Sequence, residues 1–134
     1  MNRKAEAEKQ LQALSDQLKA EYQMLQEDFN RKYADYQAIA ADAETSASIK
    51  ERRMQEIQES DKQIRAFQAK ADAELNQRRN ELMAPIRAAI KAAVQEVGDE
   101  GNYSLIIDCS QPGIDYRNPS TPDVTDRVKA KLGL

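Results

Sequence analysis

Chemistry at a single centre needs a nucleophile beside a base, two carboxylates converging on one atom, or a cluster of metal-binding side chains. The sequence offers little of this. Cys109 is the only cysteine among 134 residues and there is no histidine, so the thiol lacks its usual activating base. It reads as a small residue near a sheet edge. One cysteine and no histidine exclude an internal disulfide, a zinc cluster and a histidine-based proton relay. Asp99 and Glu100 lie between Gly98 and Gly101, where they read as a solvated helix end. No glycine-rich phosphate loop is present. The residues therefore argue against an enzyme, and no cofactor or metal is expected.

The side chains with binding chemistry are apolar and polarizable. Tyr22, Phe29, Tyr33, Tyr36 and Phe67 form an aromatic set, with Met24 and Met54 close by in sequence. Their plain reading is that they fill a seam between helices. The sharper one is that some stay open. A tyrosine joins a broad apolar body to a polar tip, and methionine is flexible and polarizable. Both suit weak contact with many partners.

The element that must position them is a long periodic stripe. Leu11, Leu14, Leu18, Tyr22, Leu25, Phe29, Tyr33, Tyr36 and Ala40 recur at intervals of three, four and four. Ile64, Phe67, Ala71, Leu75, Arg78, Leu82, Ile86, Ala89 and Ala93 repeat the pattern, with Arg78 the one charged member. An eleven-residue period corresponds to about 3.67 residues per turn, which keeps a stripe on one face of a nearly straight helix. Such a stripe needs a partner helix to cover it. The composition agrees: 32% charged, 5% aromatic and 40% hydrophobic is too lean for a thick core and suits a coiled coil.

The first helix is expected from about Arg3 to Glu44. The small, hydroxyl-rich run Thr45–Ser48 marks a reversal, and Ser48 with Glu51 reads as a capping box. One continuous helix is the alternative, and it would need a partner chain along its whole length. The second helix is expected from about Ile49 to Val97, kinked near Glu81–Met83 by Pro85. Gly98 is the expected C-terminal cap. Residues 3–97 then form a helical hairpin with its tip at 45–48, and residues 98–134 a smaller second region.

Beyond Gly101 the pattern changes. Tyr103 to Asp108 reads as an apolar strand, Pro112-Gly113 as a turn, and Ile114 to Tyr116 as a second strand. Thr121, Pro122 and Asp123 open a last helix, with Val124, Val128 and Leu132 on one face. A two-stranded hairpin is marginal alone. Leu105, Ile106 and Ile107 point to both faces of their strand, and neither face is cheap to leave in water. More strands must come from other subunits, so Leu105, Ile106, Ile107, Ile114 and Tyr116 are the expected oligomerisation residues. The expected fold class is mainly α with a small β body: a long antiparallel hairpin standing on a β-strand oligomerisation domain.

Net charge is −3 with both signs interleaved, so no basic patch argues for nucleic acid. No run is apolar enough to span a membrane, and no signal peptide is legible at Met1. The chain is either cytoplasmic or shown from a point after a signal was removed.

The order of these elements resembles the Skp/OmpH family of periplasmic chaperones. The resemblance rests on Leu82-Met83-Ala84-Pro85-Ile86 with Ile90 and Val94, on Tyr103-Ser104-Leu105-Ile106-Ile107-Asp108, and on Ile114-Asp115-Tyr116 followed by Asp123-Val124-Thr125, Val128 and Leu132. It implies a homotrimer whose hairpins project from a shared β body around a cavity. It also implies ATP-independent holding of unfolded outer-membrane proteins in that cavity, in the periplasm. Tyr22, Met24, Phe29, Tyr33, Tyr36, Met54 and Phe67 become the candidate client-binding residues. Family members carry a strand before the first helix. Here helix begins almost at once, so that strand is expected to be absent before residue 1. Well-known members are basic, whereas this chain has a pI near 5.1, so electrostatic capture of clients is not carried over. The contrasting reading is a structural coiled-coil spacer or adaptor with one fixed partner.

Overall fold

A computed structural model describes residues 3–134. Helix α1 spans Arg3–Ala40, α2 spans Ala47–Gly101, and α3 spans Thr125–Lys131. Residues 8–80 form one compact unit; residues 3–7 and 81–134 form the other.

In the unit of residues 8–80, α1 and α2 run antiparallel. The Arg78 guanidinium donates to Gln10 Oε1 at 2.8 Å, fixing which turns lie level. Leu18 is buried on α1, and Ile57, Ser60 and Ile64 are buried on α2. These alternate with half-buried Leu11, Leu14, Tyr22, Leu25, Phe29, Phe67, Ala71 and Leu75. The eleven-residue stripe is thus the seam. It departs from expectation at three members. Tyr33 is 46% exposed and Ala40 is exposed, while Lys32, outside the stripe, is half-buried beside Tyr33. Arg78 is exposed too; its long stem lets the charged head reach water and an amide together.

The reversal falls at residues 41–46, earlier than Thr45–Ser48. Asp42 organises it: its carboxylate accepts from the Glu44 N–H at 3.0 Å and the Thr45 hydroxyl at 2.9 Å. Those two donors hold its pKa below the usual carboxylate range. The capping box at Ser48 does not form, because α2 has already begun at Ala47. Ser46 caps instead, its hydroxyl oxygen accepting from the Ile49 N–H at 3.3 Å, the geometry of an N-cap residue reaching the third helical N–H.

Helix α2 is assigned without interruption through Pro85. It also passes Gly98, the expected stop. The helix ends at Gly101, with Asn102 at φ +50°. Asn102 N–H donates to the Asp99 carbonyl at 3.3 Å and Tyr103 N–H to the Gly98 carbonyl at 3.0 Å. This is a Schellman closure, with asparagine in the left-handed position that it tolerates better than most residues. Helix α3 closes the same way at Gly133, φ +73°, with Leu134 N–H donating to the Lys129 carbonyl at 3.0 Å.

The glycines before the first closure differ in their surroundings. A Cβ on Gly98 would sit 3.5 Å from the Ile106 Cδ1, an ordinary contact, whereas one on Gly101 would come within 2.2 Å of the Tyr103 ring. Gly98→Ala should therefore stabilise the chain by about 0.5–1 kcal/mol, by restricting the unfolded backbone and favouring helix. Gly101→Ala should displace Tyr103 and lower the melting temperature. Thermal unfolding followed by far-UV circular dichroism checks both.

The two strands expected at Tyr103–Asp108 and Ile114–Tyr116 are not formed. Among the described residues no strand is present, and 102–124 run as turns and non-repetitive backbone. Three side chains stitch this segment. Asp108 accepts from the Ser110 N–H at 2.9 Å, Asn118 from the Ser120 N–H at 2.9 Å, and Asp123 from the Thr125 N–H at 3.0 Å. Each is an Asx-turn satisfying backbone that a ladder would otherwise satisfy. The physical reason is the one that made the strands doubtful alone: two short strands without a third gain too little. The last helix likewise opens at Thr125, not at Thr121–Asp123, because the Asp123 carboxylate holds the turn just before it.

Candidate functional site

The candidate residues fall in two places. Tyr22, Met24, Phe29, Tyr33, Tyr36, Met54 and Phe67 all lie in the unit of residues 8–80. Phe29 and Tyr33, one turn apart on α1, stack with ring centroids 6.4 Å apart and planes 6° from parallel. Phe29 is half-buried on the seam and Tyr33 stands half out of it. Tyr22, Tyr36, Met54 and Phe67 are half-buried, while Met24 is 70% exposed. The set is therefore divided between seam and surface. Asp28 lies near it on α1, pinned by the Lys32 ammonium at 2.8 Å. The hydrogen bond from Lys32 is the main reason its pKa is lowered.

Leu105, Ile106, Ile107, Ile114 and Tyr116 lie in the unit that holds residues 81–134. Leu105 is 73% exposed and Tyr116 78%; Ile107 and Ile114 are exposed too. Ile106 turns inward, its Cδ1 against the bare backbone face of Gly98. With Ile90, Val94, Val124 and Val128 these residues line an open groove of about 730 Å³. Val97 lies wholly buried beneath, at 0% exposure, with Ala7 and Ala93 also buried in this unit.

Ionic contacts hold α3 beside the end of α2. The Lys131 ammonium bonds Glu100 and reaches Glu96 at 3.3 Å, and Arg127 approaches Glu100 at 3.6 Å. The hydrogen bond from Lys131 is the first cause lowering the Glu100 pKa; the same bond, then the one to Glu96, raises that of Lys131. All four groups are solvent-exposed, so these pairs orient the helix more than they stabilise it. A second groove, about 480 Å³, runs past Ile86, Ala89, Ala93 and Leu132 to the exposed Leu134.

Some features escaped sequence reasoning. Val97 reads as a helix end, yet its place four residues after Ala93 continues the stripe and marks it as core. Ser60 is the one polar side chain among the buried described residues. Asp108, Asn118 and Asp123 each precede a serine or threonine by two positions, a signal for Asx-turns.

One unit thus carries half-open aromatics on paired helices, and the other carries an uncovered apolar surface. The profile of a family described as Outer membrane protein (OmpH-like) matches residues 1–132. The chain belongs to the OmpH-like family. That is a family of chaperone type and not an enzyme family. A comparison with curated proteins gave no significant match. Among the described residues, no helix of this OmpH-like chain is long and apolar enough to cross a membrane.

Proposed function

We propose that the chain is an ATP-independent periplasmic holdase that sequesters unfolded outer-membrane proteins between the helical hairpins of a homotrimer. The observation that carries this reading is the apolar surface at Leu105, Ile107, Ile114 and Tyr116, left in water by the single chain in a protein of the OmpH-like family. The total exposed area, 10514 Å², exceeds the roughly 7,000 Å² expected of a compact monomer of this mass. Leu105, Ile107, Ile114 and Tyr116 are the part of that area which other copies would cover. Segments that form no strand in the single chain, such as 103–107, gain strand partners once three copies meet, which the isolated chain cannot supply.

In that assembly Tyr22, Phe29, Tyr33, Tyr36, Met54 and Phe67 provide the client contacts, while Met24, 70% exposed on the charged face of α1, stands apart from them. Each contact is weak. Three hairpins acting on one client raise the effective concentration of the others and give useful avidity without a deep pocket. Interleaved charge on the remaining surface keeps a bound client from collapsing onto the walls.

The test is dilution of a urea-denatured outer-membrane β-barrel protein into buffer containing the purified chain, without nucleotide. Turbidity should be suppressed at about one trimer per client, the stoichiometry that avidity from three arms requires. Unchanged turbidity at several-fold excess overturns the reading.

A further inference from the structure

The two flanks of α1 beyond residue 20 differ in kind. Tyr22, Gln26, Asn30, Tyr33 and Gln37 follow one another at intervals of four, four, three and four, so they share one face. That face carries no charge in a chain that is 32% charged. Met24, Asp28, Arg31 and Asp35, at intervals of four, three and four, occupy another face, which is charged apart from Met24. Its ion pairs join Asp28 to Arg31 and Lys32.

The neutral face is a chain of amides and phenols. The Tyr22 hydroxyl donates to Gln26 Oε1 at 3.4 Å, and Gln26 Nε2 donates to Asn30 Oδ1 at 3.3 Å. Both distances are at the long end for hydrogen bonds, so these groups give them up cheaply. The Tyr33 ring, stacked on Phe29, stands at the edge of the row.

We infer that this neutral flank of α1, centred on Gln26, Asn30 and Tyr33, is where an extended, unfolded polypeptide lies, and that Met24 is outside the contact. The inference rests on the holdase reading and locates its site. A side-chain amide has the same donor and acceptor as a peptide group, so it pairs with any backbone whatever the sequence. A tyrosine adds apolar contact that is equally indifferent to sequence. A charged flank would instead sort clients by charge and pay desolvation on every contact. An unfolded chain exposes unpaired backbone along its length; a folded partner does not. That selects the occupant.

The experiment compares the affinity of the full chain for a fluorescently labelled, denatured outer-membrane β-barrel protein across three variants. Gln26→Glu with Asn30→Lys introduces a Glu and a Lys four apart, an order that supports helix, so the fold is retained while neutrality is lost. This pair should weaken binding about 10-fold, the scale of a lost contact cluster at an interface centre. Tyr33→Ala should weaken it about 5-fold by the same argument, and Met24→Ala should leave it within about twofold. Wild-type affinity should change less than about twofold between low and high salt, since screening acts on charges alone. Circular dichroism verifies equal helicity. Loss on Met24→Ala equal to that on the paired variant overturns the inference and leaves the holdase reading intact. Failure of the wild-type chain to bind the denatured barrel overturns both.

Discussion

Glutamate at both Leu105 and Ile107 is expected to leave the subunit folded, monomeric and inactive as a holdase. In the single chain both side chains are largely in water, at 73% and 54% exposure. Changing them costs the isolated subunit little, within about 0.5 kcal/mol for surface positions. In the proposed trimer the same positions lie between copies. Each buried, unpaired carboxylate then costs several kcal/mol, and three copies carry two apiece. At about 1.4 kcal/mol per factor of ten, association falls by far more than 1,000-fold. Light scattering should report the mass of one subunit where the wild-type chain gives three, with circular dichroism unchanged. Suppression of client aggregation should vanish with the mass, because one arm has no avidity to draw on. A variant that keeps the wild-type mass would show that this surface is not the seam between copies.

Val97→Asp acts in the opposite way, on the subunit itself. Val97 is fully buried, in a unit whose other buried side chains among the described residues are Ala7 and Ala93. At 0% exposure a carboxylate there meets no water. The expected loss is about 3–5 kcal/mol, the range for an uncompensated buried charge. Measured against a total stability of about 5–15 kcal/mol for a domain, that is enough to melt the base near ambient temperature. Amide signals of residues 81–134 should collapse towards random-coil shifts. Those around Leu18, Ile57 and Ile64, the core of the other unit, should persist. Retention of native shifts around Val97 in the variant would contradict its place in the core.

The hairpin was legible because its signal is repetitive. An eleven-residue period summed over two arms survives local exceptions, which is why Tyr33 and Arg78 leave the seam without spoiling it. Capping was less legible, because several candidates compete within a few residues. Ser48 with Glu51 makes the capping pattern on paper, yet Asp42 closes the turn early and the cap falls to Ser46. Gly98 misleads for a related reason. A glycine near a helix end suggests a stop, but Gly98 lies inside the helix, where a Cβ would make an ordinary contact with Ile106, and Asn102 performs the closure four residues later. The region after Tyr103 was least legible. Its apolar, β-branched run does favour a strand, yet strand formation needs a neighbour, and one chain does not provide it. The aromatic residues pointed to contact chemistry, but their division between seam and surface depends on the angle of each around α1. Composition alone does not show that angle.

The eleven-residue repeat also limits how the gene for such a chain can change length. Losing one codon in either arm turns every later apolar position by about 100° and carries it off the seam. Losing eleven from each arm shortens the rods by about 16 Å and returns each position to its former bearing. Length variation among such hairpins should therefore come in matched steps of that size, one in each arm.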